Sequence, residues 1–376
     1  MPSATWQLAL TDIPAWSSGS SSWSKAKVID FLEKPAETSY IRRRNSYCEM
    51  SVTIRNRTDF HLLRGAPYRR GLLGVRNGIP RFWGQIVEHN EGGQSGFRVT
   101  AKDPYYRASW REIAYDALEY TATGPGEIAM QLIELHNGWI PAPVGYTGPA
   151  LAPSNSFLGR GTIEAGTART RKFELGQKLA EVIDTLSKLE DSFAFVVNPV
   201  TPGASGTEGL LGRLSTFSPY DVLQPKAIFQ FGDKTFSNCD DYTRTVLPLI
   251  NKANITGSDP RILAYAISVS GYQAYGLWED ERGQVNTKDQ SVLQEVANKY
   301  VEDAPVYATS LEPGPTAPSL FGDYDVVNEV PVVIKNYGRT ISTNMSVSSV
   351  EITLDPDSGQ EQVTSLVVND PDVITE

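Results

Sequence analysis

The sequence predicts an α+β protein that is mainly β, with two related antiparallel β-barrel-like domains and inserted α/β modules. Short stretches of alternating apolar and polar residues, the period of half-buried strands, fill residues 1–112 and return from residue 221. Dipeptides suited to tight hairpin turns separate several of these stretches. Between the two β regions, apolar residues recur at helical spacing instead.

The first β region, residues 1–112, is expected to form a tube-type barrel domain. Strands are predicted in "WQLAL", "AKVIDFL" and "SYCEMSVTIR", and in two hairpins whose turns are Asn77-Gly78 and Gly92-Gly93. A helix is predicted after Asp103, because an Asp oxygen accepts free amide hydrogens and the following Pro fits the first helical position. Six or more short antiparallel strands with turn signals indicate a barrel or a sandwich.

The middle of the chain, residues 113–220, is predicted to be an α/β module. The segment "GPGEIAMQLIELH" predicts a helix from Pro125 to His136. The segment "KFELGQKLAEVIDTLSKLED" gives the strongest helical pattern, and the strand "FAFVV" follows it. Two Gly- and Pro-rich loops, residues 141–170 and 199–215, are expected to be exposed.

The last part of the chain is predicted to return to strands. Residues 221–262 together with 321–376 are expected to form the second tube-type β domain, and residues 263–320 a strand–helix module. In that module "RILAYAISVSGYQAYG" is predicted to be a strand. A helix is predicted in "NTKDQSVLQEVANKYVED", where Thr287 and Gln290 have the spacing of a capping box.

The composition is that of an ordinary globular protein, with 40% hydrophobic and 21% charged residues. No apolar run approaches 18 residues, so no membrane span is expected. The opening residues show no basic segment followed by an apolar core, so no secretion signal is expected. Cys48 and Cys239 are too few for a disulfide scaffold or a zinc site, and we expect two buried or half-buried thiols.

The net charge of −10 is unevenly distributed along the chain. Residues 1–111 contain 17 Lys and Arg against 9 Asp and Glu, whereas the remaining residues contain 17 against 35. Nucleic-acid binding, docking onto acidic protein surfaces and a merely solvated basic face are the alternatives. Docking is favoured because the arginines alternate with strand-forming residues and no recognition helix or RNA-binding motif accompanies them. The predicted subunit or partner interface consists of Arg42, Arg43, Arg44, Arg69, Arg70, Arg76, Arg81 and Trp83.

Motifs that would support catalysis, cofactor binding or metal binding are not found in the sequence. His61, His89 and His136 form neither an HExxH motif nor a His-x-His pair. There is no G-x-S-x-G elbow and no P-loop. Adjacent acids such as Asp240-Asp241 do not face each other across a substrate, as glycoside hydrolysis requires. We therefore expect no enzyme activity, no cofactor and no metal.

Segments spread over nearly the whole chain follow a recognisable order. They are "FWGQIVEHNEGGQSGFRVTAKDPYYRASWR", "GPGEIAMQLIE", "KLAEVIDTLSKLEDSFAFVVNP", "FQFGDKTFSNCDDYTRTVLPLINKANITG", "DQSVLQEVANKYVED" and "GDYDV". In this order they resemble segments of siphophage tail hub proteins, which are also called minor tail, tail-associated or baseplate-hub proteins. The resemblance is carried by the order of the segments more than by any single one.

The resemblance implies a homotrimeric hub ring that continues and closes the tail tube. Each subunit would contribute two related barrels, so that three subunits present six similar units to a sixfold ring above. The implied partners are the distal tail protein, the C-terminus of the tape-measure protein and further tail-tip proteins, with DNA only passing through the tube. The implied location is the tail tip of the virion, after assembly in the host cytoplasm. Any cell-wall hydrolase would then be a separate protein.

Two alternative functions stay open at this stage. A receptor- or glycan-binding tail protein is suggested by the loops 141–170 and 199–215 and by dispersed tryptophans such as Trp139. A glycan hydrolase is disfavoured by the missing motifs.

Overall fold

The computed structural model describes most of the 376 residues of the chain. The described ranges are 5–17, 22–33, 35–55, 68–92, 96–113, 118–137, 157–164, 166–173, 175–188, 193–218, 222–232, 236–257, 259, 261–282, 288–302, 306–355 and 360–370. The turn residue Gly93, Trp139, Thr287 and most of the predicted loop 141–170 lie outside them.

The first β region alternates strands with short turns and ends in a 3₁₀ helix, Pro104–Trp110. Its strands are β1 (Trp6–Asp12), β2 (Trp16–Ser17), β3 (Ser22–Trp23), β4 (Val28–Phe31), β5 (Glu37–Arg43), β6 (Glu49–Ile54), β7 (Arg70–Arg76), β8 (Ile79–Gly92) and β9 (Gly96–Lys102). The predicted apolar face is confirmed, since Met50, Val52 and Ile54 of β6 and Cys48 just before it all belong to one hydrophobic core.

The middle module packs two helices against short strands. Its elements are β10 (Leu118–Thr123), α1 (Pro125–His136), β11 (Leu158–Arg160), β12 (Arg169–Phe173), α2 (Leu179–Ser187), β13 (Ala194–Pro199) and β14 (Gly212–Phe217). The prediction for α1 is confirmed at both ends, with Pro125 in the first turn. The second helix is shorter than the helical pattern in the sequence predicts. Leu175, which fits that pattern, lies before the helix and is exposed.

The last part of the chain holds the remaining strands and two helices. They are β15 (Val222–Leu223), β16 (Phe229–Phe231), β17 (Cys239–Val246), β18 (Lys252–Thr256), β19 (Leu263–Ile267), α3 (Val269–Tyr275), β20 (Glu279–Arg282), α4 (Gln290–Tyr300), β21 (Tyr307–Pro313), β22 (Asn328–Asn336), β23 (Arg339–Leu354) and β24 (Glu361–Asp370). The prediction of one long strand over "RILAYAISVSGYQAYG" is wrong in its second half. Ser268 ends β19 and caps α3, because its hydroxyl accepts the Gly271 amide hydrogen. The N-cap of α4 is Asp289, whose carboxylate accepts the Ser291 amide hydrogen.

The two β regions share one large sheet. Its main path runs β17-β21-β24-β23-β5-β6-β9-β8-β7-β1-β4, with β22, β15 and β16 branching from β23. The regions meet where β23 pairs with β5, from Ser349 opposite Arg43 to Leu354 opposite Thr38. One hydrophobic core lies beneath both regions and includes Met50, Phe82, Val332 and Val350. The predicted α+β, mainly β class is confirmed. Closure of the sheet into a barrel is not seen among the described residues, and the domain boundaries remain predictions.

The same five-strand path occurs twice in this sheet. The path β5-β6-β9-β8-β7 has the same order and antiparallel directions as the path β17-β21-β24-β23-β22. A two-residue turn with positive φ precedes the longest strand of each path, Asn77-Gly78 before β8 and Tyr337-Gly338 before β23. Both long strands pair first with the preceding strand and then with the following strand, and a bulge interrupts this second ladder after its first two pairs. The two β regions are therefore copies of one strand arrangement.

Asp103 connects β9 to the 3₁₀ helix from a fully buried position. As the sequence predicts, its carboxylate accepts the Tyr105 amide hydrogen at 2.9 Å, and it also accepts the Cys48 amide hydrogen at 2.7 Å. Burial raises the pKa of the Asp103 carboxyl to about 7, although these two hydrogen bonds oppose the shift.

This raised pKa predicts a stability cost that grows with pH. In the unfolded chain Asp103 titrates near pH 4, so between about pH 4 and 7 the folded state holds a proton that the unfolded state has lost. Relative to Asp103→Asn, the wild type should lose at most about 4 kcal/mol of unfolding free energy across this window. Urea denaturation of both proteins at several pH values measures the difference, and parallel profiles would contradict it.

Candidate subunit interface

Arg42 holds together the three parts of the chain from a buried position in β5. Its side chain is 2% exposed. The guanidinium donates two hydrogen bonds to the Asp325 carboxylate, at 3.1 and 3.2 Å. It also donates to the Val197 carbonyl at 2.8 Å and to the Asn198 side-chain oxygen at 2.9 Å. We call these contacts the three-way junction, because they join the first β region, the middle module and the second β region.

A second buried ion pair connects the two β regions. Arg76 in β7 donates two hydrogen bonds to Glu361 in β24, at 2.6 and 2.8 Å. The indole nitrogen of Trp6 donates to the same carboxylate at 2.7 Å. Both charged side chains are 8% exposed, so breaking the pair would leave a buried charge without its partner.

The predicted interface residues fall into two groups in the structure. Arg42, Arg76 and Trp83 are buried and contact the chain itself, Trp83 through a hydrogen bond from its indole nitrogen to the Thr11 hydroxyl. Arg81 is half-buried, and its guanidinium lies 4.6 Å from the centre of the Phe321 ring.

The remaining predicted arginines lie nearer the surface. Arg43 and Arg44 are half-buried and lie over the rings of Tyr47 and Phe217. Arg69 is exposed and Arg70 is half-buried. A role toward a partner stays a prediction for all eight residues. The partners Asp325 and Glu361 were not predicted, because each lies more than 280 residues from its arginine and no local pattern marks it.

Strand edges of the large sheet that have no strand neighbour among the described residues include those of β4, β17 and the second half of β8. β17 ends the main path and pairs only with β21. The second half of β8 pairs with β9 on one side only, and Glu88, His89, Asn90 and Glu91 are exposed. Unpaired strand edges are templates for pairing with another chain.

An exposed aromatic surface lies on the strand–helix module, on β19, α3 and the following turn. Its aromatic members are Tyr265, Tyr272, Tyr275 and Trp278, each between 42% and 62% exposed. Single exposed apolar residues are common, whereas four exposed aromatic residues within 14 positions make this module a candidate for partner contacts. By contrast, part of the predicted exposed loop 199–215 is anchored, since Val200, Leu210 and Leu211 are buried against the first β region.

The described residues contain no group of three or more His, Cys, Asp or Glu side chains placed to hold a metal ion. The ring nitrogens of His136 bond the carbonyl oxygens of Leu132 and Glu112, which is a structural role. Burial raises the pKa of the Cys48 and Cys239 thiols to about 12, so neither is a ready nucleophile. No described helix is both long and apolar enough to cross a membrane.

Comparison with known proteins identifies the fold. No family model matches the chain, and no curated protein is found as a relative. A solved structure of the tail protein from Neisseria meningitidis MC58 aligns with a TM-score of 0.54 at 10% identity, covering 99% of this chain and 98% of that one. The 43 kDa tail protein of prophage MuSo2 from Shewanella oneidensis aligns with a TM-score of 0.54 at 12% identity, covering 96% and 97%. The chain therefore has the fold of these tail proteins along its whole length, and the resemblance drawn from the sequence is confirmed at the level of the fold.

Removing the Arg42 side chain is expected to destabilise the whole chain. Arg42→Ala leaves Asp325 and two further acceptors without their donor. Breaking a fully buried ion pair costs about 3–5 kcal/mol of unfolding free energy, and this is the upper figure here because the Asp325 side chain is 24% exposed. Arg42→Lys should not restore stability, since one ammonium cannot reproduce the planar set of donors. Urea denaturation measures both variants. The control is Arg43→Ala, which removes a neighbouring half-buried arginine. An equal loss of unfolding free energy in that variant would contradict a special role for Arg42.

Proposed function

We propose that the protein is a structural component of a bacteriophage tail tip. In this role it forms a hub ring, a homotrimer, that continues and closes the tail tube and joins the distal tail protein to further tip proteins. The observation that carries the proposal is the duplicated strand path within one continuous sheet, found in a chain with a tail-protein fold over its full length.

The duplication fits a ring because each subunit supplies two similar units side by side. Three subunits then supply six units, the number needed to match the sixfold ring that the resemblance places above. A subunit whose two units are joined head to tail can add further copies in the same sense, and such heterologous contacts close into a ring when the rotation allows. The proposed boundaries of the units are residues 1–112 and residues 221–262 with 321–376, separated by the modules 113–220 and 263–320. One strand of the second path, β21, comes from the module 263–320.

The proposed partners follow from this position. The tape-measure protein C-terminus and the distal tail protein would contact the ring, DNA would only pass through its opening, and the protein would reach the virion tail tip after assembly in the host cytoplasm. A non-catalytic role is supported by the tail-protein fold and by the inert surroundings of the two buried thiols.

Particle images of the purified protein test this function. We expect mass photometry to show a trimer and negative-stain images to show a threefold ring with a central opening. A monodisperse monomer that binds no tail protein would contradict the proposal.

A second candidate function, receptor or glycan binding, is favoured by the aromatic surface. Exposed Tyr and Trp rings stack on sugars and anchor protein interfaces, and Trp278 is 56% exposed. If this surface binds a host glycan, Trp278→Ala should lower binding on a host-glycan array at least tenfold. Trp110→Ala removes an exposed Trp from the 3₁₀ helix and should leave binding unchanged. Absence of glycan binding by the wild type would count against this candidate.

A further inference from the structure

The duplicated path allows each residue of one unit to be matched to a residue of the other by its ladder partners. Counting from the ends of β9 and β24, Lys102 matches Asp370. The residue pairs lead from β9 through β6 to β5 and, in the second unit, from β24 through β21 to β17. Followed in this way, Ile41 in β5 matches Val246 in β17. By the same count, Glu91 in β8 matches Glu351 in β23.

Within one chain, the second half of β23 has a strand on both sides. β24 lies on one side, and β5 of the other unit lies on the other, with Glu351 opposite Ile41. The matching segment of β8 has only β9 beside it among the described residues. The strand that matches β5 is β17, whose outer edge is likewise unpaired among the described residues. Among the described residues, the chain thus has one filled junction between units and the two strand edges that could form a second junction of the same geometry.

Side-chain exposure shows the effect of the missing neighbour. Along β5, which is paired on both edges, residues 38–43 are all buried or half-buried. Along the matching stretch of β17 and the residue after it, Thr243, Thr245, Val246 and Leu247 are exposed. Val246 is 53% and Leu247 39% exposed, and a strand laid beside them would cover apolar surface as well as satisfy backbone groups.

We propose that β17 of one copy pairs antiparallel with residues 89–92 of β8 in the next copy, in the register of β5 with β23. This places Glu91 opposite Val246, Asn90 opposite Leu247 and Gly92 opposite Thr245. The partner is a second copy of this chain, because the surface that fills the same position inside the chain is a segment of this chain. The inference rests on the proposed ring and specifies the contact that builds it.

The two junctions have different side chains, and the difference at the position of Arg42 predicts their relative strength. Arg42, which forms the three-way junction inside the chain, matches Leu247 at the junction between copies. An apolar side chain replaces the guanidinium there, so the contact between copies lacks the Arg42 bonds to Asp325 and to the middle module. The unit-to-unit contact inside the chain is permanent, whereas the one between copies can form during assembly.

Cysteine cross-linking tests the register. Directly opposed residues of antiparallel strands have Cβ atoms about 4.5–5.5 Å apart, within reach of a short bismaleimide and near the distance of a disulfide. The double variant Glu91→Cys, Val246→Cys should give covalent dimers and trimers on denaturing gels under oxidation or with the reagent. Each single variant should stay at the dimer level or below, and the native thiols are buried and should not react. The matched control is Glu91→Cys, Tyr337→Cys, since Tyr337 is 98% exposed in a hairpin turn of the second unit and lies outside the proposed contact.

The outcomes separate this inference from the proposed function. Trimers by mass photometry together with covalent trimers only for the Glu91 and Val246 pair would support both. Trimers by mass photometry with no cross-link, or with equal cross-linking of the control pair, would overturn the strand pairing and leave the ring standing. Monomers in every variant and in the wild type would overturn both. Thermal melting of each variant followed by circular dichroism confirms that the substitutions leave the fold intact.

Discussion

The guanidinium of Arg42 is the interaction on which the arrangement of the whole chain depends. A buried charge is costly unless its donors all find acceptors in good geometry, and here the acceptors come from two other parts of the chain. The positions of β5, β13 and the segment around Asp325 are therefore fixed relative to one another. β5, the strand that carries Arg42, also pairs with β23. This pairing joins the two β regions into one sheet.

Buried ion pairs of this kind also explain part of the uneven charge distribution along the chain. The basic first region and the acidic remainder could attract separate partners, but two of the basic residues are neutralised inside the chain. Arg42 with Asp325 and Arg76 with Glu361 each join a basic residue of the first unit to an acidic residue of the second. Part of the opposite charge thus holds the two units together. The arginines nearer the surface, such as Arg69, remain for other contacts.

Much of the fold could be predicted because its signals are local. Alternation marked β1 and β6, the Asn77-Gly78 turn fixed a hairpin, and Pro125 marked the start of α1. Where a local signal was missed the prediction failed, as at Ser268, whose capping hydroxyl turns a strand into a helix. The contacts of Arg42 and Arg76 could not be predicted from the sequence, because they join residues that lie far apart in it. The sequence predicted two related β domains but not which strands correspond, since strands such as β5 and β17 share ladder positions without sharing side chains.

The central claim is that two copies of one strand arrangement form a single cooperative sheet through the junction of β5 with β23. Hydrogen–deuterium exchange of the isolated protein under increasing denaturant tests it most directly, because amides that open in one cooperative unit share one opening free energy. We predict that the amides of β5 and those of the second half of β23 exchange together, at the highest opening free energy of the chain. Exchange of β23 at a clearly lower free energy than β5 would show two independent units and contradict the claim.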